Sequence, residues 1–417
     1  MDLIYVISGW LFLILGLAIS IGLHELGHLW PAKKFGVKVT KYMIGFGPTL
    51  FSRKRGETEY GIKAIPLGGY IQMVGMVPPS SVLSTKKNVW QKLTSFAQPT
   101  EETALSPEDE ARSFYQLKPW KKLIIMFGGP FANLLISIVL TLVLFCGFGA
   151  YERGTTVNEV VACVPTEANP NCDAMGLQSP SAIAGMKAGD KITSFNGQDV
   201  KNWSDLEPLL AKSVGKVTSI GILRGNQQLT LSITPIMLNM GEVHKPYLGV
   251  RLEGVRVQQN PVQALGQLGV MLAGTAELIV QLPSQAITAF SEIAPGSPRN
   301  MEGAISIVGL GQFSGELASN QTMSIQDKVL SELAMLMSLN VALFVFNMIP
   351  LVPLDGGHIA GAVYESIKRR VWKLRGKKWE RPVDTGQMTP VAYFVAVLLL
   401  TLTVVLVIRD IVNPLQF

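Results

Sequence analysis

Two histidines and a glutamate stand together early in the chain, in His24-Glu25-Leu26-Gly27-His28. On a helix, residues four apart share a face, so both imidazoles can reach one metal ion. The glutamate between them can take a proton from a water that the metal activates. The same five residues could also be a polar cluster at a helix end, and their surroundings argue against that. Leu3–Leu23 holds 21 residues without Asp, Glu, Lys or Arg, and Lys33 and Lys34 follow the motif. At 1.5 Å per residue, His24 lies about 13 Å and His28 about 7 Å before Lys33 along the helix. Ionisable groups that deep in an apolar segment are costly unless they pair or serve a function.

Catalytic zinc takes three protein ligands and keeps one position open. The best third candidate is Asp355, in Leu354-Asp355-Gly356-Gly357. An acid placed directly after the 22 uncharged residues Leu333–Leu354 needs a partner. His358, three residues on, is the rival, because imidazole is the commonest metal-binding side chain. The histidine pair and Asp355 both sit at the C-terminal ends of charge-free stretches. They meet only if those stretches run in parallel, which requires an odd number of crossings between them. Leu123–Ala150 supplies one.

These residues need a membrane scaffold to position them. The 417 residues are 48% hydrophobic and 16% charged, outside the usual range of a soluble enzyme. Four charge-free stretches are long enough to span a bilayer: Leu3–Leu23, Leu123–Ala150, Leu333–Leu354 and Thr385–Ile408. The first lacks a basic leader and a small-residue cleavage site, so it reads as a retained helix and not a signal peptide. Trp30–Lys122 carries 15 Lys and Arg and Lys368–Arg381 carries eight, against 11 over the longer Tyr151–Asn300. Basic loops stay inside, which places the first two in the cytoplasm and Tyr151–Asn300 outside. The net charge of +6 then reflects loops beside anionic lipid, and no compact basic motif points to nucleic acid.

Between the spans, Glu59–Ile65 alternates polar and apolar residues as a strand does, flanked by glycine- and proline-rich turns. This predicts a small membrane-associated β element over 33–76. Thr155–Glu253 reads as a small β-rich domain punctuated by Asn196-Gly197 and Arg224-Gly225-Asn226, with a helix near Asp205–Ser213. Pro261–Phe290 reads as an interfacial amphipathic helix. Cys163 and Cys172 flank a turn-rich segment outside, where a disulfide can form; two unpaired thiols are the alternative.

The metal motif, together with Leu354-Asp355-Gly356, Gly129-Pro130-Phe131-Ala132-Asn133 and Asn347-Met348-Ile349-Pro350, resembles the site-2 protease family of intramembrane zinc metalloproteases. Within that family the likeness is to the bacterial regulator of sigma-E proteases, in a single-PDZ form. It covers nearly the whole chain. Ala184-Gly185-Met186-Lys187-Ala188-Gly189-Asp190-Lys191-Ile192, followed by Asn196-Gly197, is similar to the signature of the family's extracytoplasmic PDZ domain.

The resemblance implies a polytopic α-helical membrane protein with four transmembrane helices, a membrane-associated β element and one PDZ domain. It lays the chain out as a zinc-motif helix (1–32), β element (33–76), cytoplasmic loop (77–122), second helix (123–150), PDZ domain (155–258), interfacial region (261–327), third helix (328–358), basic loop (359–384) and fourth helix (385–410). One Zn²⁺ per chain would be held by His24, His28 and Asp355, with Glu25 as the catalytic base. Asn347, Pro350, Gly68, Gly69 and Tyr70 would contact substrate. The family implies regulated cleavage of single-span membrane proteins, such as anti-sigma factors or remnant signal peptides. An upstream site-1-type protease would make the first cut, and the setting would be the bacterial inner membrane. A metal transporter or an inactive PDZ scaffold are the competing classes. The first would need more metal-binding residues along a path, and the second would not need Glu25.

Overall fold

The computed structural model describes residues 3–76, 106–166, 176–240, 243–294, 303–376 and 389–414. Residues 77–105 of the expected cytoplasmic loop, Cys172, and residues 377–388 of the expected basic loop lie outside them. The chain forms two compact units: Met1–Leu144 with Pro261–Phe417, and Phe145–Asn260.

In the first unit, α1 (Leu3–Lys34) carries the histidine motif inside one continuous helix. After it come the long strands β1 (Val39–Arg55) and β2 (Thr58–Met73), which double back on each other. Lys41–Ile44 pairs on one side with Gly69–Gln72 and on the other with Glu59–Ile62, while Thr49–Arg55 pairs with Thr58–Lys63. The result is four sheet segments side by side, in the order 69–73, 39–46, 58–65, 49–55. Gly45 and Gly47 (φ +92° and +82°) turn the chain between the two halves of β1, a conformation that only glycine adopts freely.

A short α2 (Pro107–Ala111) leads into α3 (Pro119–Thr141), which continues as a wider helical turn to Phe148. α3 packs against α1 at Gly27 and Gly128, where a Cβ on either residue would strike the other's backbone carbonyl. The remaining helices are α6 (Pro261–Val280), α7 (Leu282–Ser291), α8 (Ile307–Ser319), α9 (Ile325–Asn347), α10 (Asp355–Leu374) and α11 (Thr389–Val412).

α9 runs parallel to α1. Lys328 lies over the Tyr5 ring, a Cβ on Gly16 would touch Leu336, and Asn340 donates to Ser20 Oγ at 2.9 Å. This is the parallel arrangement that a shared metal site requires. Buried charges fasten the helices. Lys122 of α3 pairs with Glu365 of α10 at 2.8 Å, and Glu365 also accepts from Arg369 at 2.6 Å. Near the end of α11, Arg409 pairs with Glu292 while Asp410 accepts from Ser306 at the start of α8. Losing one partner of such a pair costs about 3–5 kcal/mol, because the other charge is left buried and uncompensated.

Two expectations change. The third span does not run through residue 358. α9 stops at Asn347, and Asp355 opens a separate helix, because Pro350 and Pro353 remove amide donors and push their preceding residues out of the helical region. The stretch expected as a basic loop is helical as far as Leu374. By length and composition alone, five helices among the described residues could cross a bilayer: the four expected spans and one more. The fifth is α6, within the segment expected to lie at the interface, with a single acid, Glu277, in its last turn.

In the second unit, β3 (Ala150–Val160), β4 (Lys191–Phe195), β5 (Gln198–Asp199), β6 (Thr218–Arg224), β7 (Gln227–Ile233) and β10 (Val250–Val257) form one sheet in the order β10-β3-β4-β6-β7, with β5 on β4. A hairpin of β8 (Ile236–Met240) and β9 (Val243–Tyr247) stands apart from it. α4 is Pro180–Ile183. The expected helix is α5 (Trp203–Lys212), capped by Asn202, which accepts from the Asp205 amide at 3.0 Å. Val157, Ile192, Phe195, Leu206, Leu210, Ile220 and Ile222 form the core. Asn196 and Gly197 both have positive φ, the geometry of the tight hairpin turn their dipeptide predicts.

Candidate metal centre

Helical spacing puts His24 and His28 one above the other on α1, with ring centroids 4.9 Å apart. The α9–α10 connection brings in Asp355. Gly356 and Gly357 let its helix start directly against the loop, since a Cβ on either would collide with the backbone of Met348–Val352. His24 Nε2 lies 3.2 Å and His28 Nε2 3.3 Å from Asp355 Oδ2, and the two Nε2 atoms are 3.2 Å apart. Three donor atoms thus form a nearly equilateral triangle. A tetrahedral ion about 2.0 Å from each ligand sets neighbouring ligand atoms about 3.3 Å apart.

Hydrogen bonding on the far side of each ring decides what these atoms carry. His28 Nδ1 is 2.7 Å from the Ile125 carbonyl, which only accepts, so the proton is on Nδ1 and the lone pair on Nε2. His24 Nδ1 is 2.7 Å from Asn133 Oδ1. The orientation of Asn133 is itself fixed, because its amide donates to Asn340 Oδ1 (3.2 Å) and the Asn340 amide donates to the Leu336 carbonyl (2.8 Å). His24 therefore also presents a lone pair at Nε2. Two imidazole lone pairs and a carboxylate oxygen face one point, and no hydrogen bond satisfies buried Asp355 Oδ2. Three lone pairs this close favour a cation between them, and the imidazole–imidazole–carboxylate donors suit zinc.

Glu25 is 7% exposed. Gly69 of β2 packs on it, and a Cβ there would meet Glu25 Cγ, Ile21 and the Met43 carbonyl. Gly129 lies so close to His28 that a Cβ would overlap the imidazole. Glycine is therefore required on both sides of the motif.

Among the described residues, the group able to hold a metal is His24, His28 and Asp355. His358 is not part of it. Its Nδ1 is buried without a hydrogen bond, and the residue lines a cavity of about 20 Å³ together with Tyr115, Lys122 and Glu365.

Of the expected substrate residues, Gly69 reaches the centre. Gly68 sits in the left-handed region (φ +119°) against the Phe46 ring, and Tyr70 stacks on Phe46 with centroids 6.5 Å apart. Asn347 donates to the Leu343 carbonyl at 3.0 Å within its own helix, and Pro350 is exposed in the loop before Asp355. Sequence reasoning missed Asn340 and Ser20. Their signal was polarity inside otherwise apolar stretches. Cys163 is buried and bridges Gln178 by backbone pairing, while its expected partner Cys172 is outside the described residues.

A His-His-Asp triangle whose two histidines stand on an apolar helix, with a glutamate between them, defines a metal-dependent hydrolase built into a membrane. The chain matches Peptidase family M50 over residues 12–385 and belongs to that family, as a zinc metalloprotease of the site-2 protease type and an integral membrane protein. It is 30% identical over 431 residues to zinc metalloprotease Rip1 of Mycobacterium tuberculosis, with 98% of each chain covered. It is 31% identical over 429 residues to zinc metalloprotease Rip1 of Mycolicibacterium smegmatis, covering 96% of this chain and 97% of the relative. Metalloprotease MmpA of Caulobacter vibrioides is 26% identical over 374 residues, with 85% of each covered. Among solved structures, the PDZ domain of an SdrC-like protein from Listeria monocytogenes aligns with 24% of this chain and 87% of its own, at 22% identity and a TM-score of 0.17.

Proposed function

We propose that the protein cuts single-span membrane proteins within or at the edge of the bilayer of the bacterial inner membrane, after a first extracytoplasmic cut by another protease. The observation that carries this reading is the lone-pair triangle of His24, His28 and Asp355 with buried Glu25 beside it, on a helix long and apolar enough to span.

Bound zinc supplies Lewis-acid activation of water and of the scissile carbonyl. The rest is done by side chains. Glu25 accepts the proton of the attacking water and passes it to the leaving amine. Asn133 and the Ile125 carbonyl hold the two imidazoles in the tautomer that keeps Nε2 free. A helical substrate hides its carbonyls in hydrogen bonds to residues four further on, so it must unwind locally. Gly69–Met73 is an edge segment, since among the described residues it pairs only with β1, and an extended substrate can pair with its free edge beside Glu25. Gly68, Tyr70, Asn347 and Pro350 would line that path.

Transport is the weaker reading, because one metal group among the described residues does not make a path. The second unit carries the PDZ signature at its α4–β4 turn, and we assign it substrate selection on the extracytoplasmic side. Anti-sigma factors are one substrate class of the required form. The test is incubation of the purified protein with a trimmed single-span substrate, with mass spectrometry of the products. Cleavage inside the apolar segment supports the reading, and cleavage confined to soluble tails contradicts it. Replacing Thr155–Glu253 by a flexible linker should leave zinc binding intact and raise cleavage of untrimmed substrates.

A further inference from the structure

The β1–β2 sheet is polarised along its length, and its two ends meet different environments. One end is tied to the basic terminus of α1. Thr58 Oγ donates to the Val39 carbonyl (2.7 Å), and Lys33 Nζ donates to Tyr60 Oη (2.8 Å). Arg112 clamps Glu57 through two 2.8 Å bonds while also donating to the Gly36 carbonyl (3.2 Å). The Arg55–Thr58 turn is therefore level with the end of α1 at Lys34.

The other end lies alongside the metal motif. Ile44 packs at Gly22, while Gly69 packs at Ile21 and Glu25. Gly22 is 12 residues before Lys34, about 18 Å deeper along the helix. At that end the cross-strand pairs Phe46–Ile65 and Phe51–Ile62, with Leu50, expose large apolar side chains: Leu50 is 70% and Phe51 65% exposed.

Arg53, Lys54 and Arg55 line the shallow end. All three are exposed, and none has an ion pair among the described residues. Nearby, Glu57 is taken up by Arg112, which holds its carboxyl below the usual glutamate range. Glu59 stands opposite Lys54, on the face of the strand away from Arg53 and Arg55, which share the other face. Three cations sit at the level where a span ends, on a sheet whose far end is apolar.

We infer that Arg53, Lys54 and Arg55 form a binding site for the phosphate headgroups of anionic lipid, with the Phe46–Ile65 end of the sheet in the hydrocarbon. Each basic residue near an anionic surface adds to the attraction, so three together favour such lipid. The site is coupled to catalysis because the same sheet presses Gly69 onto Glu25. A sheet held at the headgroups keeps its free edge at the depth of the metal centre.

The inference rests on the membrane reading of the function, so its test has one arm that does not involve proteolysis. Full-length protein is placed in vesicles of phosphatidylcholine alone or with one third phosphatidylglycerol, with a trace of either lipid carrying a photoreactive headgroup. The anionic probe should label the peptide containing Arg53–Glu59, at least about threefold above the zwitterionic probe. Arg53→Gln/Lys54→Gln/Arg55→Gln should abolish the excess, and Arg53→Lys/Lys54→Arg/Arg55→Lys should keep it. In the cleavage arm, phosphatidylglycerol should raise the wild-type rate several-fold. It should leave the triple glutamine variant unchanged at equal zinc content, and glycerol phosphate in solution should not substitute. Equal labelling by both probes, or labelling and a lipid response that survive in the glutamine variant, overturns the inference. Anionic labelling without any cleavage leaves the lipid site standing and counts against the proteolytic reading instead.

Discussion

The Nδ1 atom of His24 lies 2.7 Å from the side-chain oxygen of Asn133, at the head of a chain that continues through Asn340 to Ser20. Three helices, α1, α3 and α9, thereby agree on one tautomer of one proposed metal ligand. Asn133→Ala removes the acceptor without touching a ligand. Zinc affinity should fall about 10- to 100-fold, the usual effect of losing a partner behind a ligating histidine. Competition against a chelator of known affinity measures it. An unchanged affinity would mean that the tautomer is set by other groups.

The third ligand is decided by two substitutions. Asp355→Ala leaves two imidazoles and should lose both zinc and activity. His358→Ala, outside the triangle, should keep most of both. Metal analysis of the purified variants separates them, and the reverse pattern would exchange the two assignments.

How much of this was legible beforehand differs by residue. The histidine pair shows in sequence because helical periodicity alone puts residues 24 and 28 on one face. Asp355 shows because a charge beside a long apolar run needs a partner, and the parallel arrangement of α1 and α9 followed from parity. The break between Asn347 and Asp355 was hidden because a count of uncharged residues does not register Pro350 and Pro353. α10 was hidden because dense Lys and Arg read as loop, although both are good helix formers. The Asn133–Asn340–Ser20 chain was hidden because its meaning lies in which helices pack together, and local sequence does not state that. The folding back of β1 onto β2 depends on paired turns at Gly45–Pro48 and Pro66–Gly68 that alternation alone does not resolve.

Buried Asp190 of the second unit accepts twice from Arg224 at 2.8 Å and once from the Lys187 amide at 2.8 Å. The Arg224 bonds hold its carboxyl below the usual aspartate range. Because the folded value is depressed, the stabilisation is fully present above the unfolded value of about 3.9 and is lost as pH falls through the folded one. Hydrogen exchange of peptides from 155–258 in the full-length protein should show protection that falls on acidification below about pH 4. Asp190→Asn should lower protection at pH 7 and flatten this acid response. An identical acid response in the variant would place the titrating group elsewhere.

Cys163 and Cys172 are expected to be bridged in the mature protein. Cells treated with a thiol-alkylating reagent before lysis should yield protein modified at neither residue unless reductant is added first. Modification of both without reductant would show two free thiols.

The central claim is that Glu25 moves the proton while His24, His28 and Asp355 hold the zinc. The most direct measurement is single-turnover cleavage of a trimmed membrane substrate by purified Glu25→Gln, alongside its zinc content. The account predicts one zinc per chain and a rate reduced at least about 100-fold, the scale of a lost general base. A variant that keeps its zinc and cuts at the wild-type rate would contradict the account, and one that loses its zinc would show that Glu25 serves the site's structure instead.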